Sequence, residues 1–220
     1  MPRICVAIQA ETTVQTIKSV LDAEQADLIE IRLDYRKEPL DLPSIRASTV
    51  KPLIATNRRK DQGGKAEEAE EERLRLLFEA VDAGFDFVDI ASTSENLTEA
   101  VSSLQGKGVN VIVSYHDFEH PLSIEALEEK HRELAETGCD VIKIIGWTNS
   151  YKDNLPYLEY NKRHPGNVSF GMGETGTTSR IIAPLSGALF TYASLETGKE
   201  LAPGQIPLMQ LREIYGSIKR

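Results

Sequence analysis

The sequence predicts an α/β protein of the (β/α)8 TIM-barrel class. Short β-rich runs alternate with helical runs from one end of the chain to the other. Eight such β-rich runs can be counted, the number a closed parallel barrel requires. No Gly-x-Gly-x-x-Gly follows the first of them, as a doubly wound dinucleotide-binding sheet would demand. No Pro/Ser-rich linker or shift in composition divides the 220 residues, so 1–220 reads as one barrel-shaped catalytic domain.

The elements follow in order. Arg3–Gln9 is the first strand, and Thr12 caps a helix that runs to about Glu24. Asp27–Tyr35 and Pro52–Arg58 are the second and third strands, rich in Ile and Leu. After a Gly-bearing loop, Arg59–Lys65, the run Ala66–Ala83 places Leu74, Leu77, Phe78 and Val81 at helical spacing. Its acidic start, Glu67 to Glu72, suits the positive end of a helix dipole, and Gly84 stops it. Strand Phe85–Ala91, helix Glu95–Gln105 and strand Asn110–Asp117 come next. Helix Ser123–Thr137 offers Leu127, Leu134 and Ala135 to the core. Strand Asp140–Thr148, helix Tyr151–Arg163, strand Asn167–Glu174, helix Thr177–Leu185 and strand Ala188–Ser194 complete the alternation. A second Gly-bearing loop, Leu195–Gln205, leads to Pro207, which opens a terminal helix reaching about Ile218. In a barrel both long loops lie on the catalytic face.

Composition narrows the function classes. Apolar residues make up 40% and charged residues 27%, which excludes disorder and low-complexity repeats. A net charge of −9 argues against nucleic acid or an anionic membrane as partner. No apolar run approaches the ~18 residues of a membrane span. The N-terminus runs straight into a strand-like segment without a signal-peptide layout. Cys5 and Cys139 are far apart and read as reduced, buried cysteines of a cytoplasmic protein.

Alternation then separates the two faces of each strand. In Ile29 to Asp34, one face carries Ile29, Ile31 and Leu33, and the other carries Glu30, Arg32 and Asp34. A parallel barrel strand has no solvent face, so the aliphatic side belongs against helices and the charges point inward. The same arithmetic groups Ile54, Thr56 and Arg58; Phe87, Asp89 and Ala91; Ile112, Ser114 and His116; and Val141, Lys143 and Ile145. It also groups Val168, Phe170 and Met172, with Arg180 following. Buried charges are retained when they pair or bind something polar. Asp34 and Asp89 read as partners of neighbouring cations. For Lys143, mid-strand, the alternatives are catalysis or an ion pair with Glu30 or Asp89.

A buried lysine beside a histidine suggests a chemistry. An ordinary lysine is neutral about one time in 2,500 at pH 7. Desolvation and neighbouring arginines favour the neutral amine, which attacks a ketone to form an iminium. The iminium acidifies the adjacent C–H, and an imidazole can take that proton and return one to a leaving hydroxyl. Lys143 and His116 therefore suit Schiff-base elimination, isomerisation or aldol chemistry. Three arginines imply an anionic substrate, and Glu30 implies hydroxyl groups on it. No His, Cys or Asp cluster stands at metal-ligand spacing.

These residues resemble the type I 3-dehydroquinate dehydratases. The resemblance rests on Glu30-Ile31-Arg32-Leu33-Asp34, Thr56-Asn57-Arg58 with Gly63-Gly64, and Ser114-Tyr115-His116-Asp117-Phe118. It continues through Val141-Ile142-Lys143, Met172 with Gly176, Ser179-Arg180 and Ala202-Pro203-Gly204-Gln205-Ile206. It implies that Lys143 forms a Schiff base with 3-dehydroquinate, while His116 removes a C2 proton and protonates the departing C1 hydroxyl. It also implies that Arg180 grips the substrate carboxylate, with Gln205 closing over it. Glu30, Arg32 and Arg58 would hold the ring hydroxyls, and Met172 and Tyr192 would supply apolar wall. A homodimer and the absence of any cofactor come with the resemblance.

There are departures. Gln62 stands where the family usually has a Glu thought to pair with the catalytic histidine, and an amide can orient the ring but cannot stabilise its protonated form. Tyr192 stands where Phe is common, Leu201 where Ser is common, and Ala91 where an acid is common. Two other readings compete. A class I aldolase on the same barrel would also use Lys143, but Glu174 in the glycine-bearing seventh loop would repel the phosphate such enzymes usually bind. A non-catalytic binding barrel would be favoured by loss of Lys143, His116 or Arg180, and all three are present.

Overall fold

A computed structural model describes residues 2–218. The strands are β1 (Ile4–Gln9), β2 (Leu28–Arg32), β3 (Leu53–Thr56), β4 (Phe87–Ala91), β5 (Asn110–Asp117), β6 (Val141–Trp147), β7 (Val168–Met172) and β8 (Thr191–Ala193). The helices are α1 (Thr13–Asp22), α2 (Leu42–Ala47), α3 (Glu70–Asp82), α4 (Leu97–Gln105), α5 (Ile124–Ala135), α6 (Leu155–Arg163), α7 (Thr177–Ser186) and α8 (Leu208–Ile218). Every ladder is parallel, in the order β7-β6-β5-β4-β3-β2-β1-β8. The edges of β7 and β8 approach below the ladder, where Leu189 N–H donates to the Asn167 carbonyl at 2.8 Å. The result is a nearly closed (β/α)8 barrel.

Local chemistry sets the element ends. Thr12 Oγ1 accepts from Gln15 N–H and starts α1, and Ser123 Oγ does the same for Ala126 at α5. Gly84, at φ +91°, turns the chain out of α3. Helix α2 is absent from the sequence reading. It has only six residues, begun by Asp41 as cap and Pro43 in its first turn, too short to show a periodicity.

Three details differ from expectation. Helix α3 starts at Glu70, because Arg59 and Ala66 form a parallel bridge that keeps the preceding chain extended. Glu68 therefore leaves the helix and takes Arg36 and Asn57 instead. Ala135 is exposed, whereas Leu127 and Leu134, seven residues apart, share the buried face of α5. Strand β2 ends at Arg32, so alternation stops there. Asp34 lies buried in the 3₁₀ turn Leu33–Tyr35 and does not reach the barrel pocket.

Two apolar layers hold the fold. Outside the strands, Ile29, Ile31, Val111, Val113, Ile142 and Ile144 are buried with the helix residues Leu77, Leu104, Leu127 and Tyr160. Inside, Cys5, Leu28, Ile54, Ile112, Val141 and Val168 close the end of the barrel where the strands begin. Each such aliphatic side chain contributes roughly 1.5–3 kcal/mol, and together they form the floor on which the pocket stands.

Candidate active site

The alternation of the strands delivers polar side chains to one mouth. Glu30 and Arg32 come from β2, Arg58 from just beyond β3, His116 from β5, Lys143 from β6 and Tyr192 from β8. They line one cleft, a concave mouth with a few convergent polar groups of the kind that takes small molecules. Arg180 on α7, Met172, Gln205 and Gln62 line the same cleft. Among the expected site residues, Asp34 and Asp89 do not line it. Both are buried behind it as partners of cations.

Lys143 turns into the barrel. Its Nζ donates to Asp89 Oδ2 at 2.9 Å and to the Tyr192 hydroxyl at 3.1 Å, and lies 4.5 Å from the Tyr192 ring centre. Of the two carboxylates the sequence offers this amine, Glu30 and Asp89, it is Asp89 that pairs with it directly. Asp89 also takes Arg58 Nη2 and Ser114 Oγ on Oδ1, each at 2.7 Å. Burial pushes the Asp89 carboxyl up, but Arg58 and Lys143 outweigh it and hold it below the usual carboxylate range. Asp89 is therefore an ionised post between two cations.

Arg58 Nη1 lies 2.9 Å from His116 Nδ1 and 3.2 Å from Ser114 Oγ. A guanidinium can only donate, so Nδ1 accepts and the neutral ring carries its proton on Nε2. Burial, then the charges of Arg58, Lys143 and Arg32, drive the His116 pKa well below that of an ordinary imidazole. The Phe118 ring stacks alongside it, with centroids 5.8 Å apart. Gln62 lines the cleft from the turn after β3, yet the group bonded to His116 is Arg58.

Arg32 is gripped by Asp34 through two bonds of 2.8 Å, which fix its fork at the rim. Arg180 is held differently. It is 1% exposed, its guanidinium carbon sits 4.3 Å over the Phe170 ring, and among the described residues its one side-chain hydrogen bond reaches the Pro203 carbonyl at 3.5 Å. Its Nε has no partner and no carboxylate bridges it among the described residues. Burial lowers its pKa to about 10, so it remains charged at neutral pH. Such a cation is suited to a bidentate anion. Gln205 accepts from Leu201 N–H at 2.7 Å, which folds the last loop over this corner.

Two assignments change. Tyr192 is more than apolar wall, since its hydroxyl bonds Lys143 and reaches Glu30 Oε1 at 3.4 Å. Ser114 and Thr56, which alternation placed on inner faces, join the polar network through Asp89 and Glu30. Backbone also shapes the mouth. Gly64 N–H donates to the Arg59 carbonyl at 2.8 Å, and a Cβ at Gly64 would overlap the Arg58 carbonyl. Among the described residues no group of three or more His, Cys, Asp or Glu is placed to hold a metal ion.

An amine, an imidazole and an unpaired guanidinium at the C-terminal mouth of a parallel barrel define a barrel enzyme acting on a small anion. Comparison with known proteins narrows that class. A family model for type I 3-dehydroquinase matches residues 4–220. The 3-dehydroquinate dehydratase of Dehalococcoides mccartyi is 34% identical over 220 residues, covering 99% of this chain and 96% of its own. That of Thermococcus gammatolerans is 39% identical over 189 residues, covering 86% of each. The crystal structure of 3-dehydroquinate dehydratase from Aquifex aeolicus superposes with a TM-score of 0.82 at 27% identity, covering 99% of both chains. The chain belongs to the type I 3-dehydroquinase family, lyases of the shikimate pathway.

Proposed function

We propose that residues 1–220 form a single catalytic domain that dehydrates 3-dehydroquinate to 3-dehydroshikimate through an imine on Lys143. The observation that carries this reading is the meeting of Lys143, His116 and Arg180 in one cleft. Arg180 takes the carboxylate, with Gln205 over it, and so sets which ring carbon meets the amine. Arg32, Arg58 and Glu30 take the ring hydroxyls, and Met172 packs on the ring.

The Lys143 amine adds to the C3 ketone and the carbinolamine loses water. The resulting iminium withdraws electrons from C2, and His116 removes a C2 proton. The lone pair available for that step is on Nδ1, freed as Arg58 turns to the substrate hydroxyls. The enamine then expels the C1 hydroxyl as His116 returns the proton, and water hydrolyses the imine. The imine is the electron sink, so the reaction asks for no cofactor and no metal. Asp89 orients Lys143 and Arg58 throughout.

Incubation with 3-dehydroquinate, reduction with borohydride and peptide mass spectrometry tests this directly. A reduced adduct on Lys143 is expected; an adduct elsewhere, or none, rejects the mechanism. A cytoplasmic homodimer acting on this small molecule, without nucleic-acid or membrane partners, completes the proposal. The exposed side chains of Leu155, Ile182 and Leu185 on α6 and α7 offer apolar surface for a second copy. Light scattering on the purified chain measures that state. No described helix is long and apolar enough to cross a membrane.

A further inference from the structure

The Tyr192 ring does what a phenylalanine would do there. It stands edge-on to Phe170 and Phe190, with centroids 6.3 and 5.4 Å away. Its hydroxyl is different, because it lies between an amine and a carboxylate. Lys143 Nζ donates to the Tyr192 oxygen at 3.1 Å, and the Tyr192 O–H donates to Glu30 Oε1 at 3.4 Å. Thr56 Oγ1 donates to the same Glu30 oxygen at 2.7 Å and holds that carboxylate in place. The groups come from β6, β8, β2 and β3, and all four residues are buried.

The mechanism requires Lys143 to shed a proton before it attacks, and two carboxylates stand within reach. Asp89 is the nearer, but it already accepts from Arg58 and Ser114 and is kept ionised by its cations. Glu30 has no arginine or lysine bridged to it among the described residues, and Tyr192 is its link to Lys143. We propose that the Tyr192 hydroxyl relays the proton from Lys143 Nζ to Glu30 before imine formation, and that Glu30 then gives it back through Tyr192 to the carbinolamine hydroxyl, which leaves as water. This deepens the dehydratase reading and rests on it.

The step balances. An N–H bond of the ammonium breaks as its proton joins the Tyr192 oxygen, and the phenolic proton passes to Glu30 Oε1. Ammonium and carboxylate become amine and carboxylic acid, with Tyr192 unchanged. The groups facing the phenol are Glu30, Asp89, Cys5, Lys143, Arg58 and Arg180. Burial, then Glu30, Cys5 and Asp89, push its pKa far above the ordinary phenol value, against the pull of Arg58. The phenol therefore stays protonated and can accept one proton while giving up another.

Tyr192→Phe keeps the ring and removes the relay. Rapid mixing with 3-dehydroquinate, a borohydride quench and intact mass should show the adduct still on Lys143, formed on the order of a hundredfold more slowly. KM should change little, and the solvent deuterium isotope effect on adduct formation should fall. Glu30→Gln should slow adduct formation to the same extent. The double variant should be no slower than either single, as expected for two members of one relay. Adduct formation at the wild-type rate in Tyr192→Phe overturns the relay, as does an isotope effect of undiminished size or a double variant slowed by the product of the singles. A purely structural role would move the melting temperature and leave the isotope effect intact. Should Tyr192→Phe fail to fold, Glu30→Gln supplies the readout at saturating 3-dehydroquinate, where its lost contact with the ring hydroxyls no longer limits the rate. No adduct on wild-type Lys143 overturns the dehydratase reading and the relay together; an adduct with an unaltered rate in Tyr192→Phe overturns the relay alone.

Discussion

Along β2, β4, β5 and β6 the first inward position is apolar and the next is polar: Leu28 then Glu30, Phe87 then Asp89, Ile112 then Ser114, Val141 then Lys143. Two residues, about 7 Å of strand, separate a hydrocarbon floor from a charged chamber. The floor lowers the energy of the fold by excluding water. The chamber raises it, because every charge there has left water, and Asp89 and Asp34 recover only part of that loss. Positions that cost stability and sit together are where activity is to be sought.

The contrast can be broken most severely at Lys143. Lys143→Ala should reduce turnover by on the order of 10⁴-fold. Its melting temperature should move little, because Arg58 still pairs with Asp89. Near-normal turnover in a steady-state assay would remove the covalent step. On the floor the signs reverse. Ile112→Ala should cost about 3 kcal/mol in a denaturant melt and leave kcat of the folded enzyme intact. A matching loss of kcat would mean the floor also tunes the chemistry.

Arg180→Ala should lower kcat/KM roughly a hundredfold, mainly through KM, by deleting a bidentate charge-assisted contact. The same variant should melt no lower than wild type, since it removes a buried cation without a carboxylate. The smallest change is expected from Gln62→Glu. His116 works as a base when neutral, so activity falls as pH drops through its pKa. Burial and the nearby cations hold that pKa low, and activity should therefore persist further into acid than an ordinary imidazole allows. A carboxylate at position 62 should move the acid limb of the rate profile upward by up to about one pH unit. An unmoved limb would show that position 62 does not couple to the ring.

Much of this was legible in the letters. Alternation alone sent Glu30, Arg32, His116 and Lys143 to the barrel interior, because a parallel strand has only two faces and the aliphatic one belongs to helices. Alternation does not report which inward groups touch across the barrel. The bonds from Arg58 to His116, from Lys143 to Asp89 and from Tyr192 to Glu30 join strands far apart in sequence, and they depend on register and curvature. That is why the sequence, with Gln62 in place of an acid, leaves the partner of His116 open, and the structure supplies it as Arg58. Asp34 pairs with a cation, as its charge suggested, but does not face the barrel, because the strand ends two residues before it.

The turn after β3 has one more implication, for protein engineering. At Gly64 main chain rests on main chain, and no neighbouring side chain can retreat to make room. A library randomised across that turn should accept many residues at exposed Asp61 while returning only glycine at 64. Any redesign of substrate preference in this rim will therefore have to work around a fixed hinge rather than through it.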